Sequence, residues 1–130
     1  MSVTAQPSVL RRLLRWGALL AFIIVALLFL NSAIHHAWAA VSPSNPYSLG
    51  LARRAIEHLC FGLAALSFGI GLFKGILTFP EATRESAAFI VLGAMLVLGS
   101  YTLQFVLVHQ CHERAGGWNR ATLQCSDEYK

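Results

Sequence analysis

The chain has 130 residues, of which 56% are hydrophobic and only 12% are charged, and its mean hydropathy is +0.59. Soluble domains have roughly a quarter of their residues charged, and disordered chains lack apolar residues. The composition therefore excludes an ordinary soluble domain, a disordered chain and a small disulfide scaffold. Because the apolar residues come in long blocks, we predict an all-α integral membrane protein.

Three apolar blocks are long enough to cross a membrane. The first, residues 16–38, follows a basic segment at 1–15 and contains no acidic residue, lysine or arginine. The second spans 55–79, with its charged residues near its two ends, and the third spans 87–109. At about 1.5 Å per residue, each block crosses a hydrocarbon core of about 30 Å. We predict three transmembrane helices.

The segments between the blocks predict how the helices are joined. Residues 39–54 contain two prolines and read as a turn-rich connector, and residues 110–130 form a polar tail. The loop at 80–86 begins with Pro80 and is so short that the second and third helices must be antiparallel neighbours. They are expected to form a helical hairpin.

The first block also fits a secretion signal. It has a basic start, an apolar stretch and an Ala37-Trp38-Ala39 sequence of the kind that signal peptidases cleave. The first segment is therefore either an uncleaved transmembrane helix that acts as a signal anchor or a cleavable signal.

Two cysteines indicate the orientation. Cys111 and Cys125 lie in the tail, and a disulfide between them would close a fifteen-residue loop, which contributes about 3 kcal/mol and persists in an oxidising compartment. The basic cluster before the first span is typical of a cytoplasmic amino terminus. We therefore expect a multi-pass protein of the cell membrane with a periplasmic or extracellular tail; in a bacterial host this would be the inner membrane.

Basic residues at the membrane surface are expected to bind lipid head groups. The net charge of +4 comes largely from arginines beside the spans, so we expect membrane lipids, and no nucleic acid, as partners. The predicted head-group ligands are Arg11, Arg12, Arg15 and Lys74.

Small residues recur along the second and third blocks. In lipid, helices associate through close backbone approach and hydrogen bonds, so such residues predict helix contacts with each other or with another protein. The predicted helix-packing residues are Gly62, Ala65, Ser67, Gly69, Gly71, Gly75, Ser86, Gly93 and Ser100.

Histidines are the main candidate for chemistry. In this orientation all five histidines lie at the outer membrane face, and His58, His109 and His112 could ligate haem iron, copper or zinc. No established ligand spacing occurs, and histidine is also common at membrane interfaces. The favoured interpretation is therefore interfacial residues without a cofactor.

These observations favour a small, non-catalytic membrane subunit that assembles with larger membrane partners or with itself through its small-residue face. We do not expect an enzyme, although an accessory subunit of a membrane enzyme complex fits the same features. One alternative is a metal- or haem-binding redox protein. A pore of several copies would be lined by Tyr101 and Gln104.

In outline, a basic leader-like segment followed by a helical hairpin resembles the pilin subunits of conjugative (type IV) secretion systems. The resemblance is one of architecture, and the long cysteine-bearing tail departs from it. It implies a further alternative, a hairpin subunit of a secretion or conjugation assembly.

Overall fold

The computed structural model describes residues 9–78, 81 and 83–128. Three long helices follow one another: α1 at Val9–Ala40, α2 at Ser48–Thr78 and α3 at Arg84–Glu113. Each is long and apolar enough to cross a membrane. The prediction of three apolar helices in this order is thereby confirmed. The start of the basic segment, part of the loop at 80–86 and the last two residues lie outside the described residues.

The helices are longer than the apolar blocks that predicted them. Both α1 and α2 begin seven residues earlier than those blocks, at Val9 and Ser48. Hydropathy marks only the part of a helix that suits lipid, whereas backbone hydrogen bonding continues into the polar flank. The connector between them is correspondingly short. In it Asn45 forms a turn, because its Oδ1 accepts a hydrogen bond of 2.9 Å from the backbone N of Tyr47.

Helix α2 is the central element, and α1 and α3 pack on it far more than on each other. On the α1 side, Ala26 is completely buried and Gly69 lies so close that an added Cβ would be 2.8 Å from the Cβ of Phe22. On the α3 side, Ser86 Oγ donates a 2.7 Å hydrogen bond to the carbonyl of Gly71. Close approach of this kind is what holds helices together in lipid.

After α3 the chain folds back over the end of the helices as a small cap, residues 114–128. Two short antiparallel strands, β1 at Trp118–Asn119 and β2 at Gln124–Cys125, precede a 3₁₀ helix at Ser126–Glu128. The reversal starts at Ala115, whose φ of 55° is in the left-handed region. The disulfide between Cys111 and Cys125 is formed, as predicted, and it ties the cap to α3.

Candidate functional site

An open cavity of about 680 Å³ lies between the cap and the helices, at the end of the molecule where α1 and α3 finish and α2 begins. We call this end the cap end. All three helices and the cap contribute to its wall, and this volume is in the range of ligand sites in proteins. The lining residues are His36, Arg54, Glu57, His58, Tyr101, Gln104, Phe105, Val108, Trp118, Arg120 and Leu123.

Helix α2 supplies the most polar wall of the cavity. Arg54, Glu57 and His58 are three and four residues apart, so helical periodicity places them on one face. His58 is held in place because its Nδ1 lies 2.7 Å from Ser32 Oγ on α1. Its ring also packs against that of His36, with 5.1 Å between the ring centres. The contact between α1 and α2 therefore orients a histidine toward the cavity.

Helix α3 supplies a wall of both polar and apolar side chains. Tyr101, Gln104, Phe105 and Val108 recur at spacings of three and four, which makes them one stripe of the helix. The Tyr101 ring packs against Phe61 of α2 at 6.0 Å between centres. The stripe covers about 10 Å of helix length at 1.5 Å per residue, and carries both hydrogen-bonding and apolar groups.

The cap contributes Trp118, Arg120 and Leu123 to the wall of the cavity. Arg53 of α2 binds the cap. Its guanidinium donates a 2.9 Å hydrogen bond to the carbonyl of Leu123 and two more, of 2.8 and 2.9 Å, to the carboxylate of Glu128. Such a two-bond pair has a fixed geometry as well as a charge attraction. The hydrogen bonds from Arg53 lower the pKa of Glu128 below its ordinary value of 4.5, although partial burial opposes this.

A second arginine lies beside the first. Arg54 donates one hydrogen bond of 3.0 Å to the carbonyl of Ala121 and also lines the cavity. A guanidinium has five N–H donors, so most of them remain for a bound molecule. Arg54 and Arg120 provide two positive charges in the wall, against the one carboxylate of Glu57. The wall thus combines an excess of positive charge with aromatic and aliphatic groups.

The small residues predicted to pack helices lie at contacts within the chain. Gly62 and Gly69 face α1, while Gly71, Gly75 and Gly93 lie at the contact between α2 and α3. Ala65, Ser67, Ser86 and Ser100 are buried.

The three histidines predicted as metal ligands do not form one cluster. His58 lines the cavity, but His109 is exposed on α3 and lies 3.3 Å from Glu113, one helical turn away. His112 is exposed as well, with its Nδ1 3.0 Å from the carbonyl of Val108. Among the described residues, no group of three or more His, Cys, Asp or Glu side chains is placed to hold a metal ion.

The predicted head-group residues lie at the other end of the helices. Arg15 is stacked on Phe73, with its guanidinium carbon 4.0 Å from the ring centre, and Lys74 forms an ion pair with Glu85 of α3. Arg12 is exposed and Arg11 is half-buried.

Sequence reasoning missed the residues that build the cap. Arg53 and Glu128 are 75 positions apart, and no periodic pattern connects positions so distant. The sequence did contain an indication of this contact. Two arginines lie near the start of α2, and two acidic residues lie near the end of a tail that was already predicted to contain a disulfide. Tyr101 and Gln104 did stand out as polar residues in an apolar helix, and both line the cavity.

Comparisons of the chain with protein-family models, with curated proteins and with solved structures find no match.

Proposed function

We propose that this protein is a small, non-catalytic integral membrane protein that binds an amphiphilic molecule in the cavity at its cap end. The observation that carries the proposal is the composition of the cavity wall. Charged groups from α2 and the cap share it with Phe105, Val108 and Leu123. A molecule with a polar head and an apolar body satisfies both parts of such a wall, whereas a purely polar or purely apolar one leaves part of it unmatched.

The position of the cavity along the helices supports an amphiphile. Its α3 wall, from Tyr101 to Val108, covers the last part of the span predicted at 87–109. From Tyr101 to Val108 this wall extends from the hydrocarbon to its boundary with the head groups, where the polar and apolar parts of a lipid meet. Trp118 and Tyr101 are of the residue types that favour this boundary.

Native mass spectrometry of the full chain, extracted in mild detergent, tests the proposal. We expect the wild type to retain a bound amphiphile and Val108→Trp, which places a bulky ring in the cavity wall, to lose it. Val91→Trp is the matched control, because Val91 is 56% exposed on the same helix and does not line the cavity. Equal retention by the two variants, or a wild type that carries no bound amphiphile, would overturn the proposal.

We also propose that the cap end faces an oxidising compartment and that the amino terminus is cytoplasmic. The disulfide supports this orientation because such bonds persist mainly in oxidising compartments. The basic residues of the first helix, Arg11, Arg12 and Arg15, belong to the other end. A reporter enzyme that folds only in an oxidising compartment, fused to the carboxyl terminus, should be active. Activity only of a cytosolic reporter fused there would reverse the orientation.

Assembly with larger membrane partners or with a second copy, predicted from the sequence, stays a proposal. Gly71 and Gly93 face neighbouring helices of the same chain, so a partner would bind elsewhere, on the exposed sides of α1 and α3 or on the cap. Cross-linking in intact membranes should then capture a larger species. A protein that remains monomeric at native expression would count against assembly.

A further inference from the structure

The charges in the cavity wall limit what head group an amphiphile can have. Arg54 and Glu57 lie one helical turn apart on α2, and Arg120 reaches the same cavity from the cap. Within the part of the chain that the structure describes, none of the three is in a salt bridge. Arg54 and Glu57 are half-buried and Arg120 is exposed, so all three are available to pair with charges on a bound molecule.

The two guanidinium groups are suited to a phosphate. Arginine presents a planar set of N–H donors that matches phosphate oxygens two at a time, and two arginines can share one phosphate. One Nη2–H of Arg54 is already used by the carbonyl of Ala121, which fixes the guanidinium in position and leaves its other donors available.

The carboxylate of Glu57 favours a ligand that carries a positive group in addition to the phosphate. Beside a phosphate alone, its carboxylate would lie near a like charge, which is unfavourable. A primary ammonium close to the phosphate would instead form an ion pair with Glu57 and approach the aromatic rings of Tyr101 and Phe105, whose faces attract cations. Every charge of the wall then has a partner.

We propose that the cavity binds the phosphoethanolamine head group of a membrane lipid, with the phosphate on Arg54 and Arg120 and the ammonium on Glu57. This inference rests on the proposed function, because it names the head group of the amphiphile that the cavity binds. The apolar part of the lipid next to the head group contacts the apolar side chains of the wall, Val108 and Leu123.

Titration of the purified full-length protein in detergent with short-chain lipids tests the inference. Phosphatidylethanolamine should bind about tenfold more tightly than phosphatidylglycerol, which keeps the phosphate and lacks the ammonium, since one charged hydrogen bond has about that effect. Glu57→Gln should abolish this preference. Arg120→Gln should weaken both lipids about tenfold, and Arg84→Gln, at an exposed position at the other end of the molecule, should change neither.

The outcomes separate the two proposals. Absence of binding by either lipid overturns the proposed function together with this inference. Equal binding of the two lipids by the wild type, or a preference for phosphatidylglycerol, overturns the head-group assignment alone. Free O-phosphoethanolamine should bind more weakly than the lipid, because it lacks apolar contacts; equal affinity would overturn the assignment to a membrane lipid.

Discussion

The two ends of the helix trio are closed in different ways. At the cap end, polar groups far apart in sequence close the molecule: a disulfide, and the arginine pair of α2 bonded to the cap. At the opposite end, formed by the start of α1, the end of α2 and the start of α3, helices touch through small residues such as Gly71 and Gly75. The cap end therefore contains an open cavity with polar groups in its wall, whereas at the opposite end the helix backbones are in contact.

The difference shows how few residues are needed to give one end of a helix bundle a cavity with polar groups in its wall. Close packing of small residues leaves little room, and the groove at the opposite end, of about 320 Å³, is lined almost entirely by apolar groups and glycines. At the cap end, the long side chains of Arg53 and Arg54 connect α2 to carbonyl groups of the cap. Gly50 is the exception there, because its lack of a Cβ lets the carbonyl of Thr122 approach α2.

Removal of the disulfide should give the largest effect at the cap end. Cys125→Ser opens a fifteen-residue loop, so we expect the cap to lose about 3 kcal/mol of stability. The backbone amides of Gly116 and Ser126, which are hydrogen-bonded within and next to the cap, should exchange with solvent on the order of 100-fold faster. Cys60→Ser is the control, since Cys60 is a free thiol within α2. Similar exchange in both variants would mean that the disulfide does not hold the cap.

A substitution at the opposite end should act on helix packing instead. A Cβ at Gly71 would lie 2.8 Å from Ile90 Cγ1 and 3.1 Å from the carbonyl oxygen of Ser86. Gly71→Leu should therefore cost about 1–3 kcal/mol, as overpacking does in soluble cores. SDS titration of the protein in mild micelles measures the loss. Gly99→Leu is the control, because an added Cβ there meets nothing within 4 Å. Equal unfolding midpoints would contradict close packing at Gly71.

The opposite end was the more predictable from sequence, for a physical reason. Helices in lipid pack through small residues at helical spacing, and that spacing is visible along one segment, as with Gly71 and Gly75. The apolar blocks likewise predicted the helices, because hydrocarbon thickness fixes the length of a span. The disulfide was predictable because only two cysteines lie in the tail.

The cavity was not predictable, because it depends on contacts between distant segments. Arg54 and Arg120 are separated in the sequence by the rest of α2 and all of α3, and nothing near either residue indicates that they line one space. The histidines show the same limit. The antiparallel order of α2 and α3 places His58 and His109 at the same end. Which of them faces the cavity depends on how each helix is rotated about its axis, and His109 remains exposed.

The ion pair between Arg53 and Glu128 should make the cap sensitive to acid. The pKa of Glu128 is lowered in the folded protein, so its contribution is complete above the ordinary value of 4.5. That contribution is lost as the pH falls from there through the lowered value. Glu128→Gln should remove this dependence and cost about 1.5 kcal/mol at neutral pH, measured by amide exchange in the cap.

Asp127→Asn provides the matched control for that experiment. Asp127 is 3.5 Å from Arg114, and both side chains are largely exposed, so their pair should contribute little. A cap equally stable at pH 3 and pH 7, or one destabilised as much by Asp127→Asn as by Glu128→Gln, would contradict the assignment of Glu128.

The smallest effect should come from the residue at which the chain turns into the cap, and it should be a gain. At the end of α3, Gly116 N donates to the carbonyl of Cys111 and Ala115 N to that of His112, an arrangement in which glycine is preferred at position 115. An alanine at a φ of 55° is strained. Ala115→Gly relieves this strain but adds freedom to the unfolded chain, so we expect a net stabilisation of about 0.5–1 kcal/mol. Ala121→Gly, at an exposed position whose φ is not positive, should give no gain. If amide exchange in the cap slows in Ala115→Gly alone, the turn after α3 limits the stability of the cap. If the two variants show the same exchange rates, the bonds between the cap and α2 limit it instead.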